Sequence, residues 1–229
     1  SVGGAWSQSP ADEGNYMIRA RVDYAVDDVQ ITNPSNGLIT NDTEITVEGT
    51  ASPTTTVSLQ NNGEEVAEVE IGDDGEFSIP VELEEGENDL QAVNFVNGEQ
   101  ANESEVVSVT LDTAAPEFTI DNPSDGDMLN TETVTVEGEV SDDHLDYVEV
   151  NGQEAAVEDG QYSKRIILEE GENAIEVNAY DLAGNSSSET IVVQADYTDP
   201  VVENLTPVED QTVEAGETVI IEFDSESGL

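Results

Sequence analysis

The sequence predicts an all-β protein made of tandem immunoglobulin-like antiparallel β-sandwiches, with a partial domain at each end. The first observation is repetition: within the 229 residues, Ile45–Gly49 returns as Val134–Gly138, and Leu83–Asn88 returns as Leu168–Asn173. A repeat of roughly 85–90 residues has the size of a whole small domain and is too long for a solenoid unit. The second observation is a series of short runs that alternate apolar and polar residues between turn signals, with no helical period.

The repeat divides the chain into four predicted segments. Residues 1–25 hold one strongly apolar strand that cannot form a domain alone, so we predict the closing strand of a preceding, jelly-roll-like β domain. Residues 26–112 form the first repeat, residues 113–197 the second, and residues 198–229 the start of a third. The linkers between repeats are short and contain proline, so neighbouring domains are expected to touch.

The second repeat shows the strand pattern most clearly. Alternation places Val134, Val136 and Gly138 on one face of a strand. Asn151-Gly152 is the favoured dipeptide for a two-residue hairpin turn. The predicted strands of this repeat are Glu117–Ile120, Thr133–Glu139, Leu145–Val150, Ala155–Glu158, Tyr162–Leu168, Asn173–Tyr180 and Ser188–Ala195.

The first repeat follows the same plan, with turns at Asn62-Gly63 and Asp74-Gly75. Its predicted strands are Asp28–Thr32, Glu44–Glu48, Thr56–Gln60, Glu65–Ile71, Glu76–Leu83, Asn88–Phe95 and Glu105–Leu111. The third segment contains two predicted strands, near Val201–Leu205 and Thr218–Asp224.

Charge limits the possible partners. The chain has 4 Lys and Arg against 54 Asp and Glu, for a formal net charge of −50. Such a surface repels nucleic acids and anionic membranes. The acids are interleaved with Val, Ile and Leu, which argues against a disordered acidic tail. Because salt screens self-repulsion, we infer a halophilic or salt-tolerant source, and calcium-rich surroundings are a compatible alternative.

The absence of cysteine excludes disulfides, cysteine-based zinc sites and thiol catalysis. No run approaches the ~18 apolar residues of a transmembrane helix, so no membrane insertion is expected. No secretory signal peptide is present, which fits a piece taken from inside a longer precursor.

Three motifs of the second repeat carry a resemblance: the Asn-Pro-x-x-Gly motif at 122–126, the loop Ala179–Asn185, and the Asp-Thr-x-x-Pro linker at 112–116. Over residues 27–229 the chain resembles the bacterial immunoglobulin-like modules that follow the catalytic domain of large secreted subtilases, the bacillopeptidase F-like group. The resemblance implies an extracellular or cell-surface location and neighbouring domains of the same precursor as partners. No piece of a subtilase catalytic domain is visible, so no protease activity is implied for this segment itself.

Catalysis is not expected from the residues present. The only histidine, His144, lies in the polar run Ser141–Asp146, and the first repeat has no histidine at the corresponding place. A serine–histidine–carboxylate site needs a histidine held by a supporting scaffold. There is no Gly-rich phosphate loop and no basic patch.

Calcium at the domain junctions is the predicted ligand. In an immunoglobulin-type domain the entering linker, the B–C loop and the F–G loop meet at one pole. In the second repeat these supply, in that order, Asp112, then Asp142 with Asp143, then Asp181 with Asn185. Several carboxylates at one point suit a hard cation that takes roughly six to eight oxygen ligands.

The next junction has the same arrangement, with acids in its linker and in the B–C loop of the third segment: Asp196, Asp199, Asp224 and Glu226. The first repeat differs, because Val96 stands where the second has Asp181 and its B–C loop Thr50–Thr54 contains no acid. Its pole is therefore not expected to bind calcium in this way. The alternative is that all these aspartates are ordinary turn residues of an acidic surface.

Two functions from different classes remain open. The first is a non-catalytic spacer of a secreted or cell-surface protein, a subtilase-type serine protease, stiffened by calcium at its junctions. The second is an adhesin stalk, or self-association into an extracellular fibre by strand complementation, in which the orphan strand of one subunit pairs with the open edge of another. An enzyme is the third possibility and requires activity in this segment alone.

Overall fold

All regular elements of the described chain are β-strands. The structure is a computed structural model that describes residues 26–199, 201–206 and 212–225. The closing strand predicted within residues 1–25 lies outside this part. Each strand predicted for the two repeats has a counterpart, with bounds that differ by one or a few residues.

The first sandwich consists of two sheets with the strand orders β1-β3-β6 and β2-β9-β7-β4-β5, and β8 pairs with β7 as an additional hairpin strand. Its strands are β1 (Gln30–Asn33), β2 (Leu38–Thr40), β3 (Glu44–Thr50), β4 (Thr56–Asn61), β5 (Glu64–Glu70), β6 (Glu76–Glu82), β7 (Gly86–Val96), β8 (Glu99–Glu103) and β9 (Val107–Leu111). Its core contains Val47, Leu59, Leu90 and Val109, none of which has exposed surface.

The second sandwich also has two sheets, with the orders β10-β12-β16-β15 and β11-β18-β17-β13-β14. Its strands are β10 (Glu117–Phe118), β11 (Met128–Leu129), β12 (Thr133–Ser141), β13 (Leu145–Val150), β14 (Gln153–Glu154), β15 (Ala156–Glu158), β16 (Gln161–Ile167), β17 (Gly171–Asp181) and β18 (Ser186–Ala195). In the third segment, β19 (Val202–Thr206) pairs antiparallel with β20 (Glu222–Ser225).

The repeated Val-Glu-Gly sequence lies where three elements meet. On β12, a Cβ at Gly138 would overlap the carbonyl oxygen of Thr119 and approach the ring of Tyr162. On β3, a Cβ at Gly49 would overlap the carbonyl oxygen of Gln30 and the ring of Phe77. Glycine is therefore required because the first strand and a core aromatic residue both approach the backbone here.

The repeated Leu-Glu-Glu-Gly-Glu-Asn sequence forms a loop closed by its asparagine. The Asn173 side chain accepts from the Glu169 backbone N–H at 2.8 Å and donates to the carbonyls of Glu169 and Gly171 at 2.7 and 2.9 Å. Asn88 makes the same three bonds in the first repeat, at 2.9, 2.7 and 2.9 Å. The loop thus has its backbone polar groups satisfied without a regular turn.

Four strands were not predicted, β2, β8, β11 and β14, and two short ones among them, β2 and β11, pair in parallel with another strand. β2 pairs in parallel with β9, and β11 pairs in parallel with β18, so the chain changes sheets after the Asn-Pro-x-x-Gly sequence. The glycine of that sequence anchors the change: the Gly126 N–H donates to the Val192 carbonyl at 2.7 Å, and Gly37 does the same to Ser108. Runs of two or three residues are too short to show alternation, which is why the sequence pattern missed them.

Candidate metal centre at the junction

The ends of three strands bring three carboxylates together. Asp112 follows β9 directly, Asp142 follows β12, and Asp181 is the last residue of β17. One oxygen from each lies within 4.8 Å of the others. Asp112 and Asp181 are buried, with 7% and 4% of their surface exposed, and Asp142 is half-buried. The three positions belong to the linker, the B–C loop and the F–G loop of the second repeat, which the sequence predicted to meet.

The F–G loop holds Asp181 in place through its own backbone. The Asp181 Oδ1 accepts from the backbone N–H groups of Gly184 and Asn185 at 2.7 and 2.8 Å. Its Oδ2 accepts from the Asn185 side-chain amide at 2.8 Å. The carboxylate is therefore oriented before any ligand binds.

Asn185 ties the loop to the linker and to the first repeat. Its Nδ2 donates to the carbonyl oxygens of Asp112 and Ala114 at 2.8 and 3.0 Å. Its Oδ1 accepts from the side-chain amide of Asn41, in the first repeat, at 3.1 Å. Asn185 thus connects both domains to the triad, but its side-chain oxygen is directed to Asn41.

His144 lies against two carboxylates of this centre. Its Nδ1 lies 2.6 Å from the Asp112 Oδ2, and its backbone N–H donates to the Asp142 Oδ1 at 2.7 Å. The hydrogen bond to Asp112 raises the pKa of His144. Burial raises the pKa of Asp142, and the charges of Asp112 and Asp181 add to that rise. The neighbouring carboxylates of Asp112, Asp142 and Asp181 repel one another, and a bound cation would offset that repulsion.

The other predicted ligands lie apart from the triad. Asp143 is exposed on the same loop as Asp142. At the next junction Asp196 and Asp199 are exposed, and the exposed Asp224 accepts from the Asn204 side-chain amide at 2.7 Å. Within the described ranges, the group at the first junction is the one acidic cluster with the spacing of a metal site.

In the first repeat, hydrogen bonds join the linker to the domain, but the triad of carboxylates is missing from its described residues. Its linker residue Asp27 donates its backbone N–H to the Ser52 hydroxyl at 2.7 Å. Asn102 donates to the Asp27 carbonyl at 3.1 Å and accepts from the Val29 N–H at 3.2 Å, much as Asn185 holds the other linker. Val96 ends β7 where Asp181 ends β17. This pole is a structural joint with no acidic triad among the residues described.

Sequence reasoning missed two residues of the centre. His144 was considered only as a catalytic residue, although its place between aspartates in a chain of net charge −50 is a signal for an ion pair. Asn41 gave no signal, because its contact with Asn185 joins residues 144 positions apart.

The donor set suits calcium better than a softer metal. All three side chains offer carboxylate oxygen, and neither cysteine nor a second histidine is available in the chain. Hard oxygen ligands are those preferred by Ca²⁺ and Mg²⁺, and three carboxylates leave positions for water in a flexible shell.

Comparison with known proteins identifies a family and a relative that resemble this chain in sequence. The sequence model of the family described as "Glucodextranase, domain B" matches residues 27–114 and 116–197. Bacillopeptidase F of Bacillus subtilis (strain 168) is 44% identical over 228 residues, which is 100% of this chain and 16% of that protein's length. The resemblance to the repeats of bacillopeptidase F-like subtilases is thereby confirmed.

Solved structures with similar folds include fibronectin(III)-like modules of Clostridium thermocellum CbhA, with a TM-score of 0.47 and 19% identity over 81% of this chain and 99% of that one. A tetra-tandem repeat from the extending region of a large adhesion protein has a TM-score of 0.36 and 21% identity, over 80% of this chain and 53% of that one. No helix among residues 26–199, 201–206 and 212–225 has the length and apolar character needed to cross a membrane.

Proposed function

We propose that this chain, which belongs to the glucodextranase domain B family, is a non-catalytic accessory segment in which calcium stiffens the junction between immunoglobulin-like repeats. The family match over both repeats and the whole-chain similarity to part of a subtilase support the accessory role. The carboxylate triad supports the metal. We propose residues 26–112 and 113–197 as the boundaries of the two repeats.

The position of the triad explains how a cation would stiffen the chain. Asp112 belongs to the linker, whereas Asp142 and Asp181 belong to two loops of the second repeat. A cation bound to all three would hold the linker against the domain that follows it. Through Asn185 and its hydrogen bond to Asn41, the same loop also contacts the first repeat. Calcium would therefore restrict the angle between the two domains.

The parent is proposed to be a secreted or cell-surface protein, with a subtilase-type protease as the leading candidate. The 44% identity to Bacillopeptidase F supports this assignment. In such a parent the repeats would position the catalytic domain relative to the cell surface or to other domains. The acidic surface suits a salt-rich or calcium-rich exterior.

The test is the melting temperature in millimolar calcium and in chelator, at a fixed high sodium chloride concentration. A ligand at 100 times its dissociation constant adds about 2.7 kcal/mol to the stability of the domain that binds it. We expect calcium to raise the melting temperature of the unsubstituted protein. Calcium should have little effect on the melting temperature of Asp181→Asn, which keeps the side-chain shape but removes a ligand charge.

Asp143→Asn is the matched control, because it removes one charge from an exposed position on the same pole. It should retain the calcium response of the parent. Two outcomes would contradict a calcium site at the junction: a melting temperature of the unsubstituted protein that calcium does not change, or an equal loss of the calcium-induced rise in both variants. The aspartates would then be ordinary charged residues of an acidic surface.

A fibre assembled by strand complementation is the second candidate, and the apolar side chains of the third segment would be the surface on which it forms. The side chains concerned have 43–71% of their surface exposed: Val201, Leu205, Val219, Ile220, Ile221 and Phe223. In this alternative a strand from a second copy covers that surface. Electron microscopy discriminates between the two, because filaments support the fibre and isolated rods support the spacer.

A further inference from the structure

Four asparagines of the described chain precede a glycine: Asn36, Asn62, Asn97 and Asn151. Glycine has no side chain to hinder attack of its backbone nitrogen on the preceding carboxamide, so each pair has the local chemistry for spontaneous deamidation. We propose that Asn97-Gly98 is the site of this modification and that hydrogen bonds protect the other three.

Three of the four pairs have matching backbone conformations. Asn62, Asn97 and Asn151 each begin a two-residue hairpin turn, with φ angles of 53°, 53° and 49°. The glycines that follow have φ angles of 81°, 80° and 71°. Asn97 and Asn151 are both preceded by valine. A difference in reactivity among them therefore has to come from the side-chain environment.

Two of these three side chains are tied to a neighbouring strand. The Asn62 Oδ1 accepts from the Asp89 backbone N–H at 3.0 Å, and its Nδ2 donates to the Glu87 carbonyl at 3.3 Å. The Asn151 Oδ1 accepts from the Glu176 backbone N–H at 2.8 Å. In both hairpins a third strand lies beside the turn and fixes the carboxamide.

Asn36, in the loop before β2, is held in the same manner, since its Oδ1 accepts from the Ser108 backbone N–H at 2.8 Å. Asn97 lacks such a partner. It is exposed, β8 pairs with β7 and with no other strand of the sheet, and within the described residues no hydrogen bond restrains the Asn97 carboxamide. Its side chain is free to rotate toward the Gly98 nitrogen.

The reaction needs only water and base. The Gly98 backbone nitrogen gives up its proton and attacks the Asn97 Cγ, forming a C–N bond that closes a five-membered succinimide. The Cγ–Nδ2 bond breaks, and the amide nitrogen takes up a proton and leaves as ammonia. Water then opens the ring at either carbonyl carbon, yielding aspartate or isoaspartate. In a restrained asparagine, the hydrogen bond to the neighbouring strand has to break before this attack.

The product changes the F–G turn of the first repeat. Each conversion adds a negative charge next to Glu99, and the isoaspartate form also adds one backbone carbon to a two-residue turn. The modification therefore alters the acidic surface at the pole of the first repeat while leaving the Asn62 and Asn151 hairpins intact.

The experiment holds the folded protein in mildly alkaline buffer and follows each peptide from a glutamate-specific digest by mass spectrometry that separates asparagine, aspartate and isoaspartate. Asn97 is expected to convert about tenfold faster than Asn62 and Asn151, a ratio that corresponds to about 1.4 kcal/mol. A rate at Asn36, Asn62 or Asn151 that equals or exceeds the rate at Asn97 would overturn the proposal.

The same incubation in guanidinium chloride is the control for local sequence. Unfolding removes the hydrogen bonds, so the rates at Asn97 and Asn151 should become similar. If Asn97 still converts faster than Asn151 by the same factor in denaturant, hydrogen-bond restraint of the side chain does not explain the difference in rate. Asn97→Gln should abolish isoaspartate in its own peptide and leave the rates at Asn62 and Asn151 unchanged, and isoaspartate that persists in that peptide would contradict the assignment.

Discussion

The two repeats place different aromatic residues at one core position, and the difference has a pH-dependent consequence. Tyr162 on β16 is 1% exposed and donates its hydroxyl to the Thr119 carbonyl at 2.7 Å, whereas the equivalent Phe77 in the first repeat has no hydroxyl. Burial raises the pKa of Tyr162 well above its ordinary value, and the charges of Asp121 and Glu189 add to the shift. The buried phenol thus remains protonated when an exposed tyrosine ionises.

This shift predicts alkaline destabilisation of the second repeat. Above pH ~10, the unfolded tyrosine loses its proton and the folded one keeps it, so the folded state binds more protons and stability falls as pH rises. A fully developed difference of one proton corresponds to about 1.4 kcal/mol per pH unit. Tyr162→Phe, which installs the residue of the first repeat, should lower stability by about 1 kcal/mol at neutral pH and flatten the alkaline decline. Denaturant titrations across the alkaline range measure both effects. If the stability of the unsubstituted protein and of Tyr162→Phe falls in parallel as the pH rises, Tyr162 is not the cause of the decline.

At the scale of elements, the first strand, the strand that carries the Val-Glu-Gly sequence (β3 or β12) and the core aromatic residue of each sandwich form one packed unit. Phe118 of β10 packs edge-to-face on Tyr162, with ring centroids 6.4 Å apart. Gly138 on β12 lies beneath both Thr119, which directly follows β10, and the Tyr162 ring. Because a side chain at this glycine has no space, the repeated Val-Glu-Gly sequence reports on tertiary packing as well as on strand formation.

Gly138→Ala is expected to destabilise the second repeat by about 1–3 kcal/mol, because overpacking forces the backbone of the first strand to move. Gly72→Ala is the matched control: its Cβ would approach only the Asp74 side chain, which can rotate away. Thermal unfolding monitored by circular dichroism compares the two. A Gly138→Ala protein as stable as the control would show that the strand is not held against this glycine.

At the scale of the whole molecule, the most prominent feature is the large negative net charge. The net charge of −50 is spread over both sandwiches, and acids occupy exposed positions even on the edge strand β5. Charged edges discourage pairing with another chain, which favours the spacer function over the fibre for this edge. The same charge repels itself within the folded state, and salt shortens the range of that repulsion.

Stability should therefore rise with sodium chloride in the absence of calcium. The screening length falls from about 10 Å at 0.1 M to about 3 Å at 1 M, so most long-range repulsion is lost over this interval. The triple variant Glu64→Gln, Glu68→Gln, Glu70→Gln removes exposed charges from β5 and should show a smaller rise in melting temperature with salt. Melting curves recorded in chelator test this. A melting temperature of the unsubstituted protein that does not change with salt would contradict the inference of a halophilic or salt-tolerant source.

The sequence by itself determined the repeat organisation, the main strands and the residue types at the junction. These follow from local rules: alternation has a period of two residues, Asn-Gly marks tight turns, and immunoglobulin-like topology brings three loops to one pole. This is why the sequence groups Asp112, Asp142 and Asp181, together with Asp143 and Asn185, at one pole.

Only the tertiary structure decided which acids converge and what holds them. Asp143 has the same chemistry as Asp142 but is exposed, and His144 faces Asp112 from a position 32 residues away. The parallel strands β2 and β11, the contact between Asn41 and Asn185, and the restraint of Asn151 but not Asn97 also depend on partners distant in sequence. Local patterns specify the conformation of a segment, whereas long-range packing determines which side chains meet and which of them have room to react.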